Sequence, residues 1–358
     1  MQYIITWFLI FIGLIFKKTK LVYFFQFLWI WILLGWNNGG PDYFIYLIDY
    51  NYISSAGQFV SNAEILYQFT VKTLSSMGLD FHTYQIITTF IGLTLISSTI
   101  FKYTKNTSFV MSLFMIFPLV DAIIQRQNFI AMSIIIFGIR YLISDKKTDI
   151  FKYVLTVIIA TGFHISALYY MILIFAPLIN FKKLKRLNFA GFVVLLFTFP
   201  ILPGIINSLL SNYYVGIYFD DLNSLSSNYK SVVLILWQFC GTGLIIKLKS
   251  KVEQSNYKVQ NSRQYQDIVF KSFLFMLPIT ALYFYNINFI RYFRNLLPLA
   301  YIAFSRVSTQ KGKFSIYTLT FISYILLSFA YLYMISGDSF TTVYKAVFEN
   351  NIIFDLFN

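Results

Sequence analysis

Three side chains able to do chemistry stand where an ionisable group is expensive: Arg126, His164 and Arg291 lie within or at the ends of long apolar segments. Ionisable residues in such segments mark function by default. A guanidinium keeps its charge when partly buried and grips phosphate through a two-pronged hydrogen-bonded fork. An imidazole can take or give a proton near neutral pH. The three together point to one site, holding an anion such as a lipid diphosphate beside a group that handles protons.

The segments that must position these residues belong to the membrane. Of the 358 residues, 58% are hydrophobic and only 12% charged, and the mean hydropathy is +0.67. Repeated apolar runs approach the ~20 residues needed to cross a bilayer. The sequence therefore predicts an all-α, polytopic integral membrane protein, a single membrane domain over residues 1–358 with about twelve transmembrane helices and an extracytoplasmic cavity. The first run, Tyr3 to Phe16, has neither the basic start nor the small-residue cleavage pattern of a signal peptide. The net charge of +14 reports topology through the positive-inside rule and not nucleic-acid binding. With Cys240 the only cysteine and two histidines in all, no disulfide and no Cys/His zinc site can be assembled.

Lysine clusters taken as cytoplasmic markers give a consistent map. Helices are expected at about 3–16, 21–36, 82–101, 108–120 and 128–143. A hairpin over Tyr153–Ile179 then turns at Gly162-Phe163-His164. Further helices follow at about 188–206, 231–246, 272–285, 289–305 and 314–335. The hairpin keeps the basic clusters at both of its ends inside and puts His164 toward the outer face. Outer loops cover 37–81 and 207–230, and a cytoplasmic loop covers 247–271. Under this map 22 of the 28 Lys and Arg, but only 4 of the 14 acids, lie inside. Arg126, Arg291 and Arg294 thus stand on an otherwise acidic outer face.

Each candidate also has a plainer reading. Arg126 could pair with Asp121, Arg291 could snorkel to the interface, and Arg294, one turn further on, could only anchor its helix. His164 could cap its own turn. His82 reads as an interfacial residue. Glu64 and Asp42, both in the 37–81 loop, could be solvated or could cap the amphipathic stretch Glu64–Leu79. In that stretch Ile65, Leu66, Phe69, Leu74 and Met77 form an apolar stripe, as in a short helix lying on the outer leaflet and walling a cavity. Tyr43, Tyr46, Tyr50 and Tyr52 fit an interfacial belt, and equally fit stacking on sugar rings.

Five features occur in order: Asp42-Tyr43-Phe44-Ile45-Tyr46, then Glu64, then Arg126-Gln127 with Ala131, then Gly162-Phe163-His164-Ile165-Ser166-Ala167, then Arg291-Tyr292. Together they resemble the EpsG family of polysaccharide polymerases, related in role to the Wzy O-antigen and capsule polymerases. The resemblance implies a glycosyltransferase of the bacterial cytoplasmic membrane with its active site facing outside. Its substrate would be a polyprenyl-diphosphate-linked oligosaccharide, whose chain is moved from its lipid onto a hydroxyl of a fresh repeat unit. It implies Arg126, Arg291 and Arg294 on the diphosphate, and Tyr46, Gln127 and Tyr292 on the sugars. His164 would be the general base, with Glu64 or Asp42 orienting the acceptor or taking the proton instead. No Asp-x-Asp occurs and Asp220-Asp221 stands alone in an outer loop, so neither metal nor other cofactor is expected. Membrane lipids, a chain-length regulator and a flippase are the implied partners, and nucleic acid is not. A flippase for the same lipid-linked sugars is the competing reading, although no internal repeat or paired broken helices support it. A membrane O-acyltransferase is a third, disfavoured by the three arginines.

Overall fold

The computed structural model describes residues 1–60, 64–144, 147–198, 228–254, 260–307, 316–335 and 337–355. Among them the regular structure is helical, apart from an isolated bridge between Asn37 and Asn351. Among the described residues, four stretches are long and apolar enough to cross a bilayer: Phe81–Tyr103, Lys230–Leu248, Arg263–Phe284 and Ile316–Ile335. Gln2–Ile15, Lys20–Gly35, Thr107–Ile116 and Ile165–Phe175 are apolar but shorter. Large apolar side chains stand exposed along these helices, Phe11 at 64% and Leu21 at 65% among them, as a surface facing lipid requires and one facing water avoids.

The chain divides into two compact units, Met1–Ile174 with Pro298–Asn358, and Phe175–Leu297. The first opens with α1 (Gln2–Ile15), α2 (Lys20–Gly35), α3 (Tyr43–Ser55), α4 (Ile65–Ser76) and α5 (Phe81–Tyr103). It continues through α6 (Thr107–Ile116), α7 (Leu119–Ile124), α8 (Arg126–Leu142) and α9 (Lys147–Phe163), then a tight 3-10 helix, Ile165–Phe175. Every residue of α6 is buried. It lies against α1 and α2, where the Gln26 amide donates to Ser112 Oγ (2.8 Å) and Ser112 Oγ to the Ile10 carbonyl (2.9 Å). Helix α5 starts on Asp80, whose carboxylate accepts from the Thr83 N–H. Its hydroxyls turn back onto the preceding turn, Thr89 onto Gln85 and Ser97 onto Leu93, so polar groups in an apolar helix are satisfied internally. Helices α8 and α9 approach closely because Gly138 faces Thr156: a Cβ there would lie 2.5 Å from Thr156 Cγ2. Small residues at such crossings let backbones meet.

The structure departs from the expected map at several places: the expected helix at 289–305 is broken between Arg294 and Leu297, the one at 272–285 gives way after Phe275 to a 3-10 turn over Pro278–Phe284, and Asn228–Gln254 and Gln260–Phe275 carry helix into the expected 247–271 loop. The expected helix at 108–120 is two helices, because Pro118 offers no N–H to continue α6. The 37–81 loop holds α3 as well as α4, their faces closed by packing of Tyr43, Tyr50, Ile53, Tyr67 and Val71 with Phe81 and Tyr84. Helix α4 buries Tyr67, Gln68 and Val71 and leaves Ile65, Phe69 and Met77 of the apolar stripe exposed. The tyrosine face packs because it has aromatic partners on α3 and α5. The expected break at His164 is present, between α9 and the 3-10 helix.

The second unit contains α10 (Phe181–Thr198), α11 (Asn228–Gln254) and α12 (Gln260–Phe275), then 3-10 turns at Pro278–Phe284 and Ile287–Ile290 and a short helix, Arg291–Arg294. Gln238 donates to the Met276 carbonyl (2.7 Å) and accepts from the Tyr283 hydroxyl, while Ser231 donates to the Tyr283 carbonyl (2.7 Å). The second half of the expected helix at 188–206, most of the 207–230 loop with Asp220-Asp221, and part of the 247–271 loop lie outside the described residues.

Candidate active site

Glu64 and His164 are a hundred positions apart and meet where the start of α4 reaches the end of α9. A Cβ on Gly162 would fall 2.7 Å from Leu66 Cγ, so glycine is what lets α4 come this close. Glu64 has left-handed backbone (φ 53°), a conformation that costs a non-glycine residue about 1–3 kcal/mol and concentrates at functional sites. From it the carboxylate accepts from the Ile165 N–H (3.2 Å) and stands 3.6 Å from His164 Nδ1. That nitrogen accepts from the Ser166 N–H (3.2 Å), which puts the ring proton of a neutral imidazole on Nε2. His164 is 9% exposed. Burial pushes the Glu64 carboxyl up to about 7, with nearby Asp49 adding to the rise and the Ile165 N–H opposing it.

Arg126 opens α8 and is 8% exposed. Its Nη2 donates to Asn37 Oδ1 (2.9 Å) and to the Asn37 carbonyl (3.3 Å). Its Nε and Nη1 are buried with no hydrogen-bond partner among the described residues. The guanidinium lies over the rings of Tyr43 (5.1 Å) and Tyr46 (5.8 Å). Asp42, at the start of α3, is close enough to exert an electrostatic pull on it. No ion pair joins the guanidinium to Asp121 among the described residues; that carboxylate accepts from the Tyr333 hydroxyl. Arg126, Gln127, Tyr46 and Phe163 line one cavity of about 20 Å³, room for about one water molecule. Taking a phosphate there requires the aromatic walls to part.

The structure thus joins Glu64 with His164, and Arg126 with Tyr46, Gln127 and the neighbourhood of Asp42. Phe163, next to His164 in sequence, belongs to the Arg126 cavity, and Ser166 Oγ reaches Asn128 of α8 (3.5 Å). Arg291, Tyr292 and Arg294 belong to the other unit. There Phe293, fully buried against Trp237 and Phe273 (both 5.1 Å), fixes the turn. Arg291 Nε donates to the Asn288 carbonyl (3.0 Å), Tyr292 stacks on Phe289 (6.1 Å), and Arg294 is buried.

Sequence reasoning missed the amides that hold Arg126. Gln85 Nε2 donates to the Leu34, Gly35 and Asn37 carbonyls, while Asn37 Nδ2 donates to the carbonyls of Val347 and Asn350. The C-terminal segment is therefore tied to the residue that orients the guanidinium. The available signal was a glutamine inside the apolar run of α5, which is costly to bury unless its amide has partners.

The profile of the EpsG family matches residues 20–346. The chain belongs to the EpsG family. It is thereby a membrane protein with a polysaccharide-polymerase-like role, and the site residues from Asp42 to Arg294 all fall within the matched span. Val347, Asn350 and Asn351, which hold Asn37 and the end of α2, fall just beyond it. No curated protein and no solved structure matches the chain.

Proposed function

We propose that this EpsG-family protein is a glycosyltransferase that polymerises polyprenyl-diphosphate-linked oligosaccharide repeats at the outer face of the bacterial cytoplasmic membrane, as in exopolysaccharide, capsule or O-antigen synthesis. In this reading the chain crosses about twelve times with its lysine-rich loops inside, so that Arg126, Glu64 and His164 face outside. The observation that carries the reading is Arg126: a buried guanidinium with two donors in reserve, in the same unit as a carboxyl–imidazole pair. Buried cationic donors without partners are costly, and that cost is recovered when an anion is bound.

In the proposed reaction a hydroxyl oxygen of the acceptor repeat attacks the anomeric carbon of the donor chain. The bond from that carbon to the phosphate oxygen breaks, and the polyprenyl diphosphate leaves with the electron pair. Arg126 meets the charge that develops there. The acceptor proton passes to the Glu64–His164 pair. Glu64 is the better placed to take it, since its carboxyl is poised near neutrality while the His164 Nδ1 lone pair already serves the turn. Asp42 and the aromatic ring of Tyr46 steady the guanidinium and the sugar nearest it, with Gln127 beside them. Arg291, Tyr292 and Arg294 are assigned to substrate binding on their own account, at the turn of the other unit.

The test is reconstitution of purified protein in liposomes with lipid-linked repeats as the only sugar source. A ladder of lengthened lipid-linked chains, with one polyprenyl diphosphate freed per joining, is expected. Transfer of repeats between leaflets without lengthening would make the protein a flippase instead.

A further inference from the structure

A groove of about 780 Å³ lies between α3, α4 and the start of α5, within the first unit. Its size suits a ligand as large as a short oligosaccharide. Four serines line it, and each donates its hydroxyl proton to a carbonyl of its own helix: Ser54 to Asn51 (2.9 Å), Ser55 to Tyr52 (3.0 Å), Ser75 to Lys72 (3.1 Å) and Ser76 to Thr73 (2.8 Å). With the proton spent, each serine offers a ligand only acceptor lone pairs. At the serines the groove therefore calls for hydrogen-bond donors, while the exposed Asn51 amide in the same lining offers both a donor and an acceptor.

Its charges exclude the simpler donors and the anions. Lys72 opposes a cation, and its ammonium is already engaged with the Ala56 carbonyl (3.0 Å) and the Phe59 ring (5.2 Å). Asp80 and the serine lone pairs oppose an anion. A neutral polyol satisfies both conditions, in a groove whose floor is closed by the buried rings of Tyr50 and Phe81. Phe81 also lines the cavity of Arg126, so one aromatic side chain is common to the groove and the guanidinium's surroundings.

We propose that this groove binds an uncharged stretch of saccharide, the sugar portion of the lipid-linked substrate, separately from the grip on its diphosphate. The assignment rests on the polymerase reading for the source of the sugar, but its test does not need polymerisation. Oligosaccharides released by partial acid hydrolysis of the polymer from a strain carrying this protein are offered to purified protein in detergent, and binding is read by saturation-transfer NMR. Wild type is expected to give sugar-proton signals. Ser55→Trp and Ser76→Trp, both at exposed positions on the rim, are expected to weaken binding at least tenfold while eluting as wild type in gel filtration. If either tryptophan variant fails to elute so, Ser76→Leu, a smaller change that removes an acceptor and narrows the groove, takes its place with the same loss expected.

Arg126→Lys is expected to keep the free-sugar signal but to lose co-purifying lipid-linked repeat, which separates the groove from the diphosphate grip. Absent signal for wild type, or undiminished binding by the folded groove variants, overturns the groove. Sugar binding without chain lengthening in liposomes overturns the polymerase reading and leaves the groove standing.

Discussion

Helix α8 begins and ends with a held arginine, and the two are held differently. Near its end, Arg140 Nε donates to the Phe137 carbonyl (2.9 Å) and Nη2 to Ser98 and Thr99 (3.0 and 3.1 Å), with the Phe137 ring 3.7 Å from the guanidinium carbon. At its start, Arg126 is fixed through Nη2 alone, on Asn37, and keeps Nε and Nη1 buried without partners. Arg140 is a half-buried anchor whose Nε and Nη2 are spent on the fold and which leaves no buried donor without a partner among the described residues. Arg126 is oriented by the fold and not satisfied by it. Burial alone does not distinguish a binding arginine from a structural one, whereas the account of its donors does.

The sharpest way to break this contrast is Arg126→Lys. It keeps the charge but replaces planar, multiply donating geometry with a single ammonium, and joining of lipid-linked repeats is expected to fall about 10²-fold or more, on the scale of losing a preorganised charge stabiliser. Single-turnover joining at equal protein abundance measures it. A wild-type rate would reduce Arg126 to an anchor like Arg140.

Next in size is Glu64→Gln, expected to lower joining about 10²-fold, the usual scale for a general base. Wild-type joining should rise with pH through about 7, as the carboxyl raised by burial ionises beside His164 and Asp49, and that limb should vanish in the variant. Stability should run the other way. Because the folded carboxyl titrates above its ordinary 4.5, its contribution is fully present below about 4.5 and is lost as pH rises through about 7. Thermal unfolding of wild type and Glu64→Gln in detergent across that range should therefore converge at low pH and separate above neutrality, with the variant the more stable. His164→Gln should impair joining less than His164→Ala, since an amide oxygen can still accept from the Ser166 N–H. Equal losses would give the imidazole the proton-transfer role instead.

Asn37→Ala should cost less, about tenfold in joining, because Arg126 remains present but unaimed. Its mark is in the kinetics: retention of lipid-linked repeat should fall along with the rate, while the pH limb set by Glu64 stays where it was. Truncation after Lys345, which removes Val347 and Asn350 from Asn37, should have the same signature. An effect on folding alone, with per-molecule kinetics intact, would cut the link between the C-terminal segment and the site.

What the sequence disclosed, it disclosed through conflict between a residue and its surroundings. Arg126 and His164 interrupt apolar runs, and the break at His164 follows from basic clusters at both ends of one long apolar stretch. The meeting of Glu64 with His164 could not be read, because it depends on α4 packing against α9, and Gly162 is the only local trace of that approach. Asn37 looked like one polar loop residue among several. Its importance comes from three separate segments, around Gln85, Arg126 and Val347–Asn350, converging on it. The apolar stripe of α4 marks one of its faces, but because such a stripe can face lipid in a membrane, periodicity does not disclose that the packed face carries Tyr67, Gln68 and Val71. Apolar patterning within single helices carries no information on whether Arg126 and Arg291 act on one ligand, since the two belong to different units.

The smallest effect belongs to the other end of α8. In Arg140→Lys the ammonium can still reach Ser98 or Thr99, but the bond to the Phe137 carbonyl and the close contact of the guanidinium with the Phe137 ring are lost. A hydrogen bond of this kind contributes about 1 kcal/mol net, so unfolding should shift by roughly that amount while joining per folded molecule stays within about twofold of wild type. The pair of lysine variants compares the two ends under an identical chemical change, at a buried arginine with donors in reserve and at a half-buried one without buried donors to spare. If Arg140→Lys lost joining as deeply as Arg126→Lys, the spent and reserved donors would be equivalent. Loss of function at position 126 would then report the integrity of α8 and not a grip on substrate.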